Sequence, residues 1–100
     1  MSLFVVQHRH EANRCPAGDP KMAQMLLKHL SPQSTQSYGL TIRADAVVNN
    51  AHTFVMIVEG PDRESVNRFM QPFAQAGTVE ILPASTCEAV VTRGGCAAGG

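Results

Sequence analysis

The amino-acid sequence predicts a single α+β domain in which strands and helices follow the order β-α-β-β-α-β. Short runs rich in β-branched and aromatic residues alternate with longer segments in which apolar residues recur every three to four positions. The chain has 100 residues, enough for one domain, and 44% of them are hydrophobic, as in ordinary globular proteins.

The first strand is predicted over residues 3–10, because its Leu-Phe-Val-Val start is short, apolar and β-branched. The first helix is predicted to open at Asp19-Pro20 and to continue over 21–30, because Asp is a good N-cap and Pro is tolerated at the first helical position. Ser31-Pro32 is expected to end this helix, and residues 32–37 are expected to form a polar connector.

The next two strands are predicted to form a hairpin. Residues 38–48 alternate between apolar and polar side chains, and residues 52–59 return after Asn49-Asn50, since Asn tolerates the positive φ of a tight turn. The run at 54–58 is apolar throughout, which favours a central strand covered on both faces.

The last third of the chain is predicted to supply a helix and two strands. Asp62 should cap a helix over 63–76, with Pro72 expected to kink or split it. A strand at 78–82 and an extra short C-terminal strand at 87–92 complete the chain.

This order is the ferredoxin-like pattern, an antiparallel sheet with both helices on one face. The other face also carries Val and Ile side chains and therefore needs a cover, for which a second copy is the simplest choice. We expect a homodimer. The domain is predicted to span residues 1–93, and the Gly-rich residues 94–100 to form a flexible tail.

Charge and hydropathy exclude several partners. The chain has 8 basic and 8 acidic residues, whereas a nucleic-acid binder or a polybasic membrane-surface protein carries a basic excess. No run approaches the roughly 18 apolar residues of a membrane-spanning helix. The N-terminal segment lacks the basic and apolar regions of a signal peptide. We therefore expect a cytoplasmic protein without nucleic-acid or membrane partners.

At the level of a family, the chain resembles the dimeric α/β-barrel superfamily over roughly residues 3–92. The resemblance rests on the opening strand Leu3–Arg9, the hairpin at Asn49–His52 and the helix entry at Gly60–Glu64. Small bacterial nickel-binding members look nearest, because a first-strand histidine recurs here as His8. The resemblance implies a dimer, and it extends to members with unrelated chemistries.

The histidines of the first strand are the strongest indication of a chemical function in the sequence. His8 and His10 lie two residues apart and so share one face of a strand, while Cys15 follows after a loop long enough to fold back. Two imidazoles and a thiolate suit copper, nickel or zinc. The alternative is a strand end whose histidines are exposed or hydrogen-bonded.

Two further cysteines are candidate ligands of the same site. Cys87 would reach His10 if the chain doubles back after Pro83 or crosses to a partner subunit. Cys96 lies in a Gly-Gly-Cys segment that could move to a metal or to another thiol. Methionine sulfur can bind copper, but the spacing of four methionines predicts core positions instead: Met22, Met25, Met56 and Met70.

Two alternatives to metal binding stay open, so the sequence does not decide whether the protein is an enzyme. The first is a thiol-based redox or sulfur-handling protein, in which Cys15 exchanges disulfides with Cys87 or Cys96. The second is a cavity enzyme of the monooxygenase or isomerase type, with candidates His52, Tyr38, Arg43 and Asn49. If the protein binds a metal or exchanges thiols, we expect a partner that exchanges the metal or the thiol with it. No complete hydrolase or nucleotide-binding motif is present.

Overall fold

The computed structural model describes residues 1–97 and contains four strands and four α-helices within that range. In chain order they are β1 (Ser2–Arg9), α1 (Pro20–His29), α2 (Pro32–Ser37), β2 (Thr41–Val48), β3 (Thr53–Gly60), α3 (Arg63–Ala74), β4 (Thr78–Ala84) and α4 (Cys87–Arg93). Two single turns of 3-10 helix, Ala12–Arg14 and Pro16–Gly18, connect β1 to α1.

The four strands form one antiparallel sheet in the order β2-β3-β1-β4. The predicted α+β class and antiparallel sheet are confirmed, and the strand order is compatible with a ferredoxin-like fold. Because β1 is central, its last residue lies opposite the first residues of two other strands: Arg9 pairs with Thr53 of β3 and with Thr78 of β4. Three segments therefore meet at the end of β1.

The hydrophobic core lies between the sheet and the helices. It consists of Phe4, Val6, Leu40, Phe54, Met56, Val58, Val66, Phe69, Met70, Phe73 and Ile81. Helix α3 contributes four of these residues, whereas α1 and its C-cap contribute only the partly buried Leu26 and Leu30. The predictions that Met56 and Met70 belong to the core are confirmed. Those for Met22 and Met25 are wrong, since both are exposed on α1.

Side chains on the opposite face of the sheet remain open to solvent in the single chain. Val5 of β1 pairs with Ile57 of β3 on one side and with Leu82 of β4 on the other. Ile57 is 38% exposed and Leu82 is 39% exposed. The apolar run of β3 is thus covered on one face only within the described chain.

The predicted helix caps are confirmed. The Asp19 carboxylate accepts a hydrogen bond from the backbone N–H of Lys21 at 2.9 Å. The Asp62 carboxylate accepts one from the N–H of Ser65 at 2.8 Å and a second from the Ser65 hydroxyl at 2.8 Å. These bonds satisfy donors that a helix start leaves without intrahelical partners. The hydrogen bonds to Asp62 hold the pKa of its carboxyl below the usual value.

Two sequence predictions of secondary structure are wrong. The expected polar connector contains α2, for which Ser31 is the N-cap and Pro32 the first residue. The expected C-terminal strand is helix α4. Thr86 caps it, accepting from the N–H of Ala89 at 3.1 Å, and Gly94 ends it in the left-handed conformation with φ 84°. These end signals override the strand preference of its two valines.

Helix α3 and the two edge strands each contain a position where an interruption of regular structure is expected or observed. Helix α3 continues through Pro72 as one helix, so Pro72 does not split it. Strand β4 extends through Pro83 to Ala84; this is an edge strand, where a residue without an N–H is tolerated. The other edge strand, β2, has a register shift between Ile42 and Ala44. Among residues 1–97, no helix is long and apolar enough to cross a membrane.

Candidate metal centre

His10 follows directly after β1, where the three strand ends meet. Its backbone N–H donates to the carbonyl oxygen of His52 over 3.1 Å. On its other side the backbone passes close to Gly77, whose position leaves no room for a Cβ against the Arg9 carbonyl. The backbone of His10 is therefore held from two directions.

The turn between β2 and β3 presents the second imidazole. Asn50 and His52 both have positive φ, at 65° and 47°. Such values are uncommon for residues with a Cβ. They form the tight turn that ends at His52, the residue directly before β3. The rings of His52 and His10 lie edge to face with centroids 5.2 Å apart.

Cys15 lies between the two 3-10 turns of the β1–α1 connection. Its N–H donates to the carbonyl of Ala12 at 3.3 Å, and its own carbonyl accepts from the N–H of Gly18 at 3.2 Å. These bonds fold the loop back toward the end of β1. The thiol is free and half-buried.

His10, Cys15 and His52 together form a cluster of three metal-binding donors. One ligand atom of each lies within 4.8 Å of the other two. Two ligands of a tetrahedral zinc ion with bond lengths of about 2.0–2.3 Å would be roughly 3.3–3.7 Å apart. The cluster thus needs a contraction of at most about 1.5 Å, which side-chain torsions can provide. We call it the His10 cluster.

The two ring nitrogens of His10 are shielded from solvent without being hydrogen-bonded, although the residue as a whole is only half-buried. Neither ring nitrogen has a partner among the described residues. Burial lowers the pKa of His10, and the charge of a protonated His52 would lower it further. The neutral form, which is the form that binds metals, is therefore favoured.

His8 lies deeper, beside the cluster but outside it. It is 2% exposed, and its Nε2 atom has no hydrogen-bond partner in the described chain. Its ring stacks on His10 with centroids 5.4 Å apart and meets the edge of Phe73 at 5.3 Å. Burial lowers the pKa of His8; the Phe73 carbonyl opposes this shift, and a protonated His10 adds to it.

Two small clefts meet at His8. A cavity of about 220 Å³ holds the His10 cluster and is otherwise lined mainly by apolar side chains such as Val47, Leu26 and Phe54. A second cleft of about 200 Å³ lies on the helix side, where Met22 and Met25 line it instead of filling the core. Apart from the histidines and Cys15, only Asn49 and Asn50 contribute polar side chains to the wall of this first cavity.

His29 has a structural role in the second cleft. Its Nε2–H donates to the carbonyl of Phe69 at 2.8 Å, and its ring stacks on that of Phe69 with centroids 4.2 Å apart. It therefore ties α1 to α3, in addition to the helix-end position that its sequence indicates.

Cys87 and Cys96 lie away from the His10 cluster. Because β4 is antiparallel to β1, the chain leaves β4 beside Leu3, at the opposite end of the sheet from His10. About six residues of strand, or roughly 20 Å, separate these ends. Both thiols are exposed. Their participation in the metal site stays a prediction that would need the second subunit of a homodimer.

The residues proposed for a cavity enzyme do not converge. His52 and Asn49 border the cluster cavity. Tyr38 packs edge to face against Phe69 with ring centroids 5.3 Å apart, and Arg43 forms an ion pair with Glu59 at 3.3 Å. Tyr38 and Arg43 therefore have structural partners away from this cavity.

The structure places His52, which the sequence analysis did not count among the candidate ligands, beside His10 and Cys15. A signal was present: in a ferredoxin-like sheet the first and third strands are antiparallel neighbours, so the start of one faces the end of the other. That order places His52 beside His10. Comparisons with protein-family models, curated proteins and solved structures found no match for this chain.

Proposed function

We propose that this protein binds a transition-metal ion through His10, Cys15 and His52 and serves in storage, buffering or delivery of that metal. The supporting observation is the imidazole of His10. Buried polar groups in proteins almost always have a partner, yet both ring nitrogens of His10 lack one among the described residues. A metal ion would provide that partner, with two further donors within 4.8 Å.

The donor set selects the class of metal. Imidazole nitrogen and thiolate sulfur favour copper, nickel or zinc over magnesium or calcium, which prefer oxygen. Three protein ligands leave one position of a tetrahedral ion open to water or to a ligand from another molecule. An open position is what transfer to a metal exchange partner requires. The half-buried Cys15 lies in a loop that could move to release the ion.

Metal content tests this proposal. Protein without an affinity tag would be titrated with Zn²⁺, Ni²⁺ or Cu⁺ under reducing conditions, and bound metal measured by elemental analysis. We expect about one ion per chain, lost when the thiols are alkylated and in His10→Ala and His52→Ala.

His29→Gln is the matched control for these variants. His29 lies outside the cluster, and a glutamine amide can still donate to the Phe69 carbonyl. It should retain the full metal content. Equal binding by all variants, or no binding by the parent, would refute the proposal.

We also propose that two copies pair through the open face of the sheet. Support comes from Val5, Ile57 and Leu82, which form an apolar patch across three neighbouring strands. Covering such a patch would add hydrophobic stabilisation to a domain whose own core is modest. The dimeric α/β-barrel arrangement is the proposed form of this pairing.

A further inference from the structure

Helix α4 lies on the surface and carries a cysteine at its first position. None of its residues is buried, and Val91 is 78% exposed. The helix begins with Cys87, and the next cysteine, Cys96, follows two residues after its Gly94 cap. Both thiols are free and exposed, so dissolved oxidants can reach them.

Arg93 connects the two ends of this helix. Its guanidinium donates to the hydroxyl of Ser85 at 2.9 Å and to the carbonyl of Cys96 at 2.8 Å. It also donates to the carbonyl of Gly95 at 2.8 Å. One planar group thus holds a residue just before α4 and a residue just after it.

The backbone after α4 makes a tight turn that leads to Cys96. Gly94 has φ 84°, and the N–H groups of Gly94 and Gly95 both donate to the carbonyl of Val90, at 3.1 and 3.2 Å. This left-handed ending stops the helix and changes the direction of the chain. It brings the backbone of Cys96 to the same guanidinium as Ser85, two residues before Cys87.

We propose that Cys87 and Cys96 are a redox-active pair that forms an intrachain disulfide by exchange with low-molecular-weight disulfides. One thiolate attacks a disulfide RSSR, forming a mixed disulfide and releasing RS⁻. The second thiolate then attacks the protein sulfur of the mixed disulfide and releases the other RS⁻. Two protein thiols are oxidised, one RSSR is reduced to two thiols, and two protons leave the protein. This site is separate from the His10 cluster and does not depend on metal binding.

The positions of the basic residues make the pairing directly measurable. Trypsin cleaves after Arg14, Lys21, Arg68 and Arg93, so each cysteine falls in a different peptide: 15–21, 69–93 or 94–100. Protein would be incubated with oxidised glutathione in the presence of a chelator. Remaining thiols would then be alkylated, and the monomer isolated on a non-reducing gel and digested. We expect the linked pair 69–93 with 94–100 as the main product.

Two comparisons test the role of the folded structure. The pair should form several-fold faster in the native protein than in denaturant, because the Arg93 contacts raise the effective concentration of one thiol near the other. Arg93→Lys keeps the charge and the cleavage site but loses the planar fork, so it should slow closure several-fold. Cys15→Ser should leave both rate and product unchanged.

Several results would overturn this proposal. They are a dominant link involving peptide 15–21, links only between two chains, glutathione adducts without an internal link, or equal rates in native and denatured protein. None of these results depends on whether the protein binds metal, because the chelator removes it throughout.

Discussion

The backbone N–H of His10 donates to the carbonyl oxygen of His52 over 3.1 Å, so the two imidazoles of the candidate metal centre are linked through their main chains. This bond fixes the end of β1 against the β2–β3 turn before any ion arrives. A ligand pair that is already positioned loses less conformational entropy on binding. The backbone hydrogen bonds of Cys15 stay within its own loop and do not tie it to either strand, so Cys15 is the donor with the most freedom to adjust.

Replacing the sulfur ligand should weaken binding and change the spectrum. In Cys15→Ser a poorer hydroxyl ligand replaces the thiolate, and we expect metal affinity to fall by at least about tenfold, or roughly 1.4 kcal/mol. The thiolate charge-transfer absorption of the Ni²⁺ form should disappear. Cys87→Ser is the control and should retain both. An unchanged absorption band in Cys15→Ser would assign the sulfur ligand elsewhere.

Replacing His8 distinguishes the two candidate ligand sets. The sequence suggested His8, His10 and Cys15, whereas the structure groups His10 and Cys15 with His52. His8→Phe should therefore keep one ion per chain. The stability of the metal-free protein should change by no more than about 1 kcal/mol, because a buried nitrogen without a partner is removed while the contact of the imidazole with the Phe73 carbonyl is lost. Loss of the ion in this variant would restore His8 as a ligand.

Gly77 should tolerate no side chain. A Cβ there would overlap the Arg9 carbonyl oxygen and lie 3.1 Å from the Cα of His10, and backbone atoms cannot rotate away. We expect Gly77→Ala to lower the free energy of unfolding by about 1–3 kcal/mol in urea denaturation. Gly18→Ala is the matched control, since its Cβ would meet no atom within 4 Å. Equal stability of the two variants would contradict the close approach.

The Asp62 cap predicts part of the acid sensitivity. Hydrogen bonds from Ser65 lower the folded-state pKa of Asp62 below the usual value of 3.8. Its contribution to stability is therefore complete above 3.8 and is lost as the pH falls through the lower folded-state value. Asp62→Asn keeps a capping acceptor without a titrating group and should flatten this part of the melting-temperature profile. An identical acid limb in both proteins would refute the prediction.

Charge on the open sheet face should separate a dimer. If two copies pair there, Ile57→Glu would place a carboxylate in the interface and yield a species of 10.7 kDa by light scattering. Val91→Glu, on the exposed α4, should remain at twice that mass. A parent protein that already measures as a single chain would refute the proposed pairing.

The fold was largely predictable because local signals agreed with one another. Asp19 and Asp62 stood at helix starts, and the Asn49-Asn50 pair stood at a hairpin. Helix α4 was missed because Val90 and Val91 favour a strand locally, while its ends are set by Thr86 and Gly94. Met22 and Met25 were misplaced because helical periodicity identifies a face of α1 but not how closely that face approaches the sheet.

The candidate site was predictable in part. His10 and Cys15 are close in sequence, so their proximity follows from a short loop. His52 is more than forty residues from His10, and its proximity depends on strand order and register, which no local pattern encodes. The positive φ of His52 is likewise a property of the assembled turn.

Pro83 and the irregularity near Arg43 have a consequence for assembly of the sheet with other chains. They lie on the two edge strands, β4 and β2. Pro83 lacks an N–H and the irregularity interrupts the regular spacing of hydrogen-bonding groups, so neither edge offers an unbroken template for an added strand. Strand-by-strand growth into fibrils is thereby disfavoured even though the sheet has a solvent-facing apolar side.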